Sequence, residues 1–366
     1  MKILIFSWRD IKNPLAGGSE LYFHEMAKLW VKNGHHVTMI CGGWKNCKKY
    51  EEIDGLNVIR AGNGPSLYIL APITYFISRI KPDVIIDVEN GIPFFTPLFT
   101  RRKKVLHIHH VHKDVWFKEL PFPIALIGCF IENKIMPLIY KRTKIITLSN
   151  SSSSEIKREG LGDVIGIVNP GISFPKYKKV KKSRKPMILF LNRVKKYKGI
   201  QVLLDAVNEL KRMKFDNFDV LIAGGGDDLE RMKKYSSDNS LDNVKFLGKV
   251  SEEKKRILMQ SAWIFVNPSF KEGWGIVNIE ANYFNTVVIG SNVSGIKDSI
   301  MDGKTGLLFE YGNSKEFANK IKFLLEKSKI REKMQKEAKV WAEKFDWKIK
   351  AEEYLNILTE IANKRV

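Results

Sequence analysis

The chain has 366 residues, enough for two ordinary domains, and its 44% apolar and 28% charged residues exclude both a disulfide miniprotein and wholesale disorder. Lys plus Arg outnumber Asp plus Glu by 62 to 40, a net charge of +22 that favours anionic partners such as nucleic acid, phosphorylated ligands or acidic lipid. The three cysteines, Cys41, Cys47 and Cys129, match neither a zinc site nor a disulfide framework and fit a reducing compartment.

At the N-terminus MKILIFSWRD has too short an apolar run for a signal peptide, and Ile3 to Phe6 reads as a buried strand; export is not expected. A loop with Gly17-Gly18 follows, then a helical pattern from Ser19, a plausible N-cap, to Lys32, ended by Asn33-Gly34. His36 to Cys41 is the next strand, which completes a β-α-β order. Further strands are expected at Val84 to Asp87, Val105 to His109, Lys144 to Leu148 and Gly166 to Val168. The most apolar window, Leu120 to Ile139, is interrupted by Glu132, Asn133 and Lys134, so no transmembrane helix is expected there.

KYKKVKKSRK, from Lys176 to Lys185, is almost devoid of apolar residues and reads as a solvated linker. The expected division is a first domain over 1–175, a linker over 176–186, a second domain over 187–345 and a terminal helix over 346–366 that packs back on the first domain. In the second domain the pattern restarts: strand Met187 to Leu191, a basic loop to Gly199, helix Ile200 to Met213, strand Asp219 to Ala223, a Gly224-Gly225-Gly226 turn and a helix from Asp228. Strands at Val244 to Leu247, Trp263 to Val266 and Val287 to Gly290 complete it. The fold class is therefore α/β, with two Rossmann-like doubly wound domains facing across a cleft at the carboxyl ends of their strands.

PSFKEGWGIVNIEA, Pro268 to Ala281, follows an expected strand and opens a helix near Gly275, where unpaired backbone N–H groups and a partial positive charge make an anion site. Glu272 lies at its mouth and Glu280 more than a turn inside, so the two carboxylates reach different parts of one extended ligand; taken alone they also read as a cap and an exposed helix residue. FLNRVKKYKG puts Arg193 and Lys198 on the loop leaving the first strand of the second domain, where two cations can clamp a diphosphate or form a solvated basic turn. VLHIHHVHKDVW crowds in His107, His109, His110 and His112, with neither an HExxH helix nor a cysteine cluster beside them, so zinc is rejected. Strand alternation sends His107 and His109 to one face and His110 to the other. Asp87 and Glu89 are likewise rejected as a diphosphate-holding metal pair, because they lie in the first domain.

Taken in order, these segments resemble family 4 of the retaining, nucleotide-sugar-dependent glycosyltransferases with the GT-B architecture. The resemblance is carried by Gly17-Gly18, Asn33-Gly34-His35-His36-Val37, Ser149, Asn169-Pro170-Gly171, Arg193 with Lys198, Gly224 to Gly226, Phe246-Leu247-Gly248, Glu272-x7-Glu280 and DGKTGLLF from Asp302 to Phe309. The chain departs from the family pattern at Ser294, where a glycine is usual, and at Asp298, where many members have Glu. The resemblance implies catalytic roles for His109, Glu272, Arg193 and Lys198: the two cations hold the donor diphosphate, Glu272 lies by the transferred sugar and His109 beside the reacting centre. It implies donor contacts from Gly17, Gly18, Gly273, Trp274, Gly275, Ile276 and Val277, and from Glu280 at the ribose. It also implies a hexose-type sugar, no metal and no cofactor beyond the nucleotide-sugar co-substrate.

The acceptor is expected to be lipid-linked or a glycan, and the protein to be either free in the cytoplasm or peripheral on the cytoplasmic membrane face. An anionic membrane surface is suggested by Arg101-Arg102-Lys103-Lys104 after the apolar Ile92 to Phe99, with Trp116, Phe117 and Leu120 to Phe130 close by. A buried core reads the same way in sequence. Two other readings compete: a nucleic-acid-binding protein, against which stands the absence of any nucleic-acid motif, and a sugar-nucleotide epimerase of similar fold, against which stands the Glu272 to Glu280 signature.

Overall fold

A computed structural model describes residues 1–174 and 177–363, which divide into two compact units, 1–171 with 346–363 and 172–345. Each unit is built on a sheet whose central strands are short, apolar and buried on both faces, with helices between them, as parallel pairing requires.

The first unit has eight strands: β1 Lys2–Ser7, β2 His36–Cys41, β3 Tyr50–Ile53, β4 Leu56–Arg60, β5 Val84–Glu89, β6 Lys104–Ile108, β7 Lys144–Thr147 and β8 Val164–Ile167. Their order is β3-β4-β2-β1-β5-β6-β7-β8, and only the β3–β4 hairpin is antiparallel. That hairpin was not expected. It is held by Arg60, whose guanidinium donates to both oxygens of buried Asp10 (2.7 and 3.0 Å) and to Glu51 (2.8 Å). The N-cap of helix Gly18–Lys32 is Gly17, not Ser19, and the Glu20 carboxylate accepts from the Gly17 N–H (2.8 Å).

The helix Phe122–Tyr140 runs 19 residues without the expected interruption and is long and apolar enough to cross a membrane. Its charge is absorbed locally: a π-turn at Ile131–Ile135 swings Glu132 inward, where it is buried, while Ala125, Gly128, Met136 and Tyr140 pack inside. The helix Trp347–Asn363 belongs to this same unit. Trp30 Nε1 donates to the Ala351 carbonyl (2.8 Å), and Tyr354 stacks on His107 with its hydroxyl 3.2 Å from His107 Nδ1.

In the second unit the strands are β9 Met187–Leu191, β10 Asp219–Ala223, β11 Val244–Gly248, β12 Ile264–Asn267, β13 Val287–Ser291 and β14 Gly306–Phe309, all parallel in the order β11-β10-β9-β12-β13-β14. One sheet face packs on helix Ile200–Arg212 and the other on helices Glu252–Ser261 and Ile276–Tyr283. The expected solvated linker is an irregular segment, exposed at Lys178, Lys179, Val180, Lys181, Arg184 and Lys185 and anchored on the second unit at a few points. Its first residue, Lys176, lies outside the described residues; Tyr177 packs on Phe284, and half-buried Lys182 donates from its ammonium to the Ala262 carbonyl (2.6 Å) and the Thr286 hydroxyl (2.7 Å). Burial lowers the Lys182 pKa to about 7, with Arg331 adding to the effect. Lys182 departs from the solvated reading because a lysine stem packs as a hydrocarbon once its head finds acceptors.

Candidate active site

The candidate residues form two groups, one in each unit. In the first unit β6 ends at Ile108 and delivers His109 to its carboxyl end, buried, with Nε2 2.6 Å from the Ser19 hydroxyl. Ser19 follows Gly17-Gly18 directly, so the glycine loop and His109 share one site, and nothing lies within 4 Å of where a Cβ on Gly18 would stand. The alternation holds: His107 and His109 rings are 4.7 Å apart on one face, and His110 stacks on His112 at 4.4 Å.

Burial, with a smaller contribution from His112, lowers the His109 pKa to about 3, and burial with His109 pushes His107 well down too. His109 is therefore a neutral imidazole at physiological pH, suited to hydrogen bonding rather than to donating a proton as imidazolium. The unfolded chain binds protons at both imidazoles below a pKa of about 6.5, where the fold does not, so their contribution is intact above that pH and stability is lost as pH falls through it. Each imidazole costs about 1.4 kcal/mol per pH unit in that window. In urea unfolding the His109→Asn variant is expected to lose about 2 kcal/mol less than the wild type between pH 7.5 and pH 5. Equal losses would mean that His109 is protonated in the fold.

In the second unit the loop after β9 carries Arg193 and Lys198, and two close backbone approaches set its path. Gly199 (φ +70°) runs so near Pro268 that a Cβ would stand 1.9 Å from the Pro268 carbonyl oxygen, and a Cβ on Gly224 would stand 1.8 Å from that of Asn192. The triple glycine is thus the seat of the cationic loop. Arg193 is exposed and donates to the Tyr197 hydroxyl (3.0 Å). Lys198 is buried, with Nζ 2.5 Å from Glu272 Oε1 and 4.7 Å from the Tyr197 ring centroid. Sequence reading gave Lys198 and Glu272 separate ligand contacts; the fold makes them one ion pair.

The Ser269 hydroxyl also donates to Glu272 Oε1 (2.9 Å). Gly275 caps helix Ile276–Tyr283 in the left-handed region (φ +80°); the Asn278 N–H is taken by the Gly275 carbonyl (2.9 Å), which leaves the N–H groups of Ile276 and Val277 at the helix start, four and five residues after Glu272. Beneath them Asn267 donates to Asn278 (2.9 Å) and Asn278 to Ser299 (2.9 Å). Trp274 is buried against Phe345, which leaves its backbone as the part able to meet a ligand. Gly273, Trp274, Gly275, Ile276 and Val277 are thus assembled as one turn. Glu280 pairs with Lys255 (2.7 Å), while its Oε2 is buried without a hydrogen-bond partner. At the departure from the family pattern, Asp298 accepts from the Gly295 N–H (3.2 Å), doing the capping that Glu would do.

Ser19, Tyr197, Lys255, Ser269, Asn267, Asn278 and Ser299 were missed as site residues. Ser269 stood in the quoted motif three residues before Glu272, but Lys255 is 25 residues from Glu280 on another helix, with no sequence signal to join them.

Residues 16–174 match Glycosyltransferase Family 4, and residues 174–341 match Glycosyl transferases group 1. This chain is a GT-B glycosyltransferase of the family 4 type. An uncharacterised glycosyltransferase of Methanocaldococcus jannaschii is 25% identical over 396 aligned positions, covering 99% of each chain. An N,N'-diacetylbacillosaminyl-diphospho-undecaprenol alpha-1,3-N-acetylgalactosaminyltransferase of Campylobacter jejuni is 27% identical, covering 63% of this chain and 64% of its own. Among solved structures, Anabaena HepE in complex with UDP-glucose superposes with a TM-score of 0.78 at 18% identity, over 98% of this chain and 100% of its own. The glycosyltransferase match thus runs through both units, including the glycine loop of the first and the carboxylate turn of the second.

Proposed function

We propose that this glycosyltransferase moves a hexose-type sugar from a nucleotide diphosphate donor to a hydroxyl of a lipid-linked or glycan acceptor, with retention of anomeric configuration and with no metal at the diphosphate. The observation that supports the reading is the convergence of Lys198, Glu272 and the N-terminus of helix Ile276–Tyr283, a cation, a carboxylate and backbone donors of the kind a diphosphate and a sugar hydroxyl call for. Arg193 supplies the exposed cation and Glu280 Oε2 the unfilled acceptor for ribose hydroxyls. In the proposed front-face route the bond from sugar C1 to the phosphate oxygen breaks, C1 bonds the acceptor oxygen on the same face, and the acceptor proton passes to the leaving phosphate. Arg193 and Lys198 offset the charge that builds on that phosphate; neutral His109 is assigned to orienting the reacting sugar by hydrogen bonding.

The apolar surface favours the lipid-linked acceptor. Phe122 (67% exposed), Ile127 (59%) and Phe130 (59%) stand out from the helix Phe122–Tyr140, and Ile69, Ile73, Phe76 and Ile77 from helix Leu67–Ser78. A buried core is therefore not what Leu120 to Phe130 forms. The basic run contributes less than its four charges suggest: Arg101 and Arg102 are exposed, but Lys103 donates to the Ala362 carbonyl (2.6 Å) and Lys104 to that of Thr100 (2.6 Å). The helix is proposed to lie on an anionic membrane face rather than to span it, because Glu132, Met136 and Tyr140 hold its inner side in the fold.

Thermal shift against UDP, GDP and ADP and their sugars tests the donor, since a ligand of the folded state stabilises it by mass action. Product analysis in excess EDTA, with and without a polyprenyl-diphosphate sugar, then tests transfer. Retained anomeric configuration and turnover in EDTA support the reading; a product formed without acceptor would make the protein an epimerase. In the same assay Glu280→Ala is expected to raise the donor KM about tenfold with little change in kcat, and His109→Ala to lower kcat with little change in KM. The reverse split would mean that the two subsites are exchanged.

A further inference from the structure

Three side chains outside the proposed transfer site converge in the first unit. Glu89 ends β5, His112 lies on the loop beyond β6, and Glu132 is turned inward by the π-turn Ile131–Ile135. Their ligand atoms all lie within 4.8 Å of one another. Glu89 and Glu132 side chains are 0% and 1% exposed and that of His112 is 12% exposed, so the group is enclosed but reachable past the imidazole.

The spacing is informative. His112 Nδ1 stands 3.5 Å from Glu89 Oε1 and 3.8 Å from Glu132 Oε1. Those separations are long for direct hydrogen bonds. They are close to those of groups sharing an ion: two ligands each about 2.1 Å from a tetrahedral zinc are about 3.4 Å apart.

The second observation is an unmet acceptor. Glu132 is well supplied, with donors at the His112 N–H (2.6 Å), the Lys113 N–H (2.9 Å) and Trp116 Nε1 (3.2 Å). Glu89 takes the Gly91 N–H on Oε1, but its Oε2 is fully buried with no hydrogen-bond partner among the described residues. Two buried carboxylates this close repel each other when both are ionised, and a cation held between them offsets that repulsion.

We propose that Glu89, His112 and Glu132 bind one divalent first-row cation, with zinc the best match to an imidazole and two carboxylates, and that the ion braces the histidine loop instead of holding the donor. Strand, loop and helix would then be tied at one point three residues from His109. Sequence reading discarded each part separately. The four histidines were weighed as one zinc cluster and Glu89 was paired with Asp87, whereas Asp87 is occupied by the Phe94 N–H (2.9 Å), Thr96 (2.7 Å) and the Tyr140 hydroxyl.

The test uses the full chain, dialysed against chelator and titrated with zinc by calorimetry, and with cobalt(II) for its visible absorption. One ion per chain is expected, with a rise in thermal midpoint. Affinity should fall at least about 100-fold in both Glu89→Gln and His112→Phe, since even outer partners of metal ligands are worth 10- to 100-fold. Transfer by the chelated chain at 25 °C should persist, because the ion stands outside the transfer chemistry. The proposal is overturned by the absence of stoichiometric binding, or by binding that both variants leave unchanged, which would place the ion elsewhere. It is equally overturned if zinc leaves the wild type unchanged while Glu89→Gln raises the midpoint of the metal-free chain, the mark of two carboxyls sharing a proton.

Discussion

Replacing Lys198 with alanine is expected to lower kcat by about 10²- to 10³-fold, the usual cost of removing one fixed charge or donor from a developing anion. It is also expected to destabilise the second unit. The ammonium is buried and its partner Glu272 is 14% exposed, so removal leaves a carboxylate that keeps the Ser269 hydroxyl but has lost its cation. Losing one member of a fully buried pair costs about 3–5 kcal/mol, and partial solvation of Glu272 brings the expectation to the lower end or below. Arg193 separates the two effects: its guanidinium is exposed and bonded to Tyr197, so Arg193→Ala should lower kcat with a stability change of no more than about 0.5 kcal/mol. Unfolding curves run beside steady-state kinetics give both readings. Full turnover in Arg193→Ala together with loss in Lys198→Ala that tracks unfolding would reduce the pair to a structural bridge and remove the diphosphate assignment.

Substituting serine at Phe122, Ile127 and Phe130 together is expected to lower partition onto anionic vesicles by at least about 100-fold while the thermal midpoint stays near that of the wild type. Full burial of each such side chain is worth about 1.5–3 kcal/mol, and an interfacial helix realises part of that. The midpoint is spared because these side chains already face solvent in the fold. Serine at Arg101 and Arg102 should cost less, about 1 kcal/mol each, and only at low salt. Flotation of the full chain with anionic and neutral vesicles measures both. If the wild type stays in the soluble fraction with anionic vesicles at low salt, the membrane reading fails and a soluble glycan becomes the better acceptor.

Periodicity and punctuation located eleven of the fourteen described strands, missing β14 as well as the β3–β4 hairpin, because a strand covered on both faces is a short continuous apolar run between turn residues. Val84 to Asp87 and Met187 to Leu191 are of this kind. The β3–β4 hairpin escaped the same reading: Tyr50–Ile53 carries two glutamates, and its place at the sheet edge depends on Arg60 reaching Asp10, fifty residues away. Within the otherwise exposed linker Lys182 was not legible for a related reason, since whether it meets water or the Ala262 carbonyl is not a local property.

The sequence by itself determined the fold class, the two-part organisation and the residues of the carboxylate turn, since glycine before a helix and a carboxylate at its mouth act over a few residues of chain. Tertiary structure alone decided how those residues are charged and paired. It joined Lys198 to Glu272, gave Glu280 a lysine from another helix, held His109 neutral against Ser19 and turned Glu132 inward toward Glu89 and His112. Ionisation and ion pairing depend on burial and on distances of a few ångströms between groups 20 to 90 residues apart along the chain, and chain separation carries no information about either.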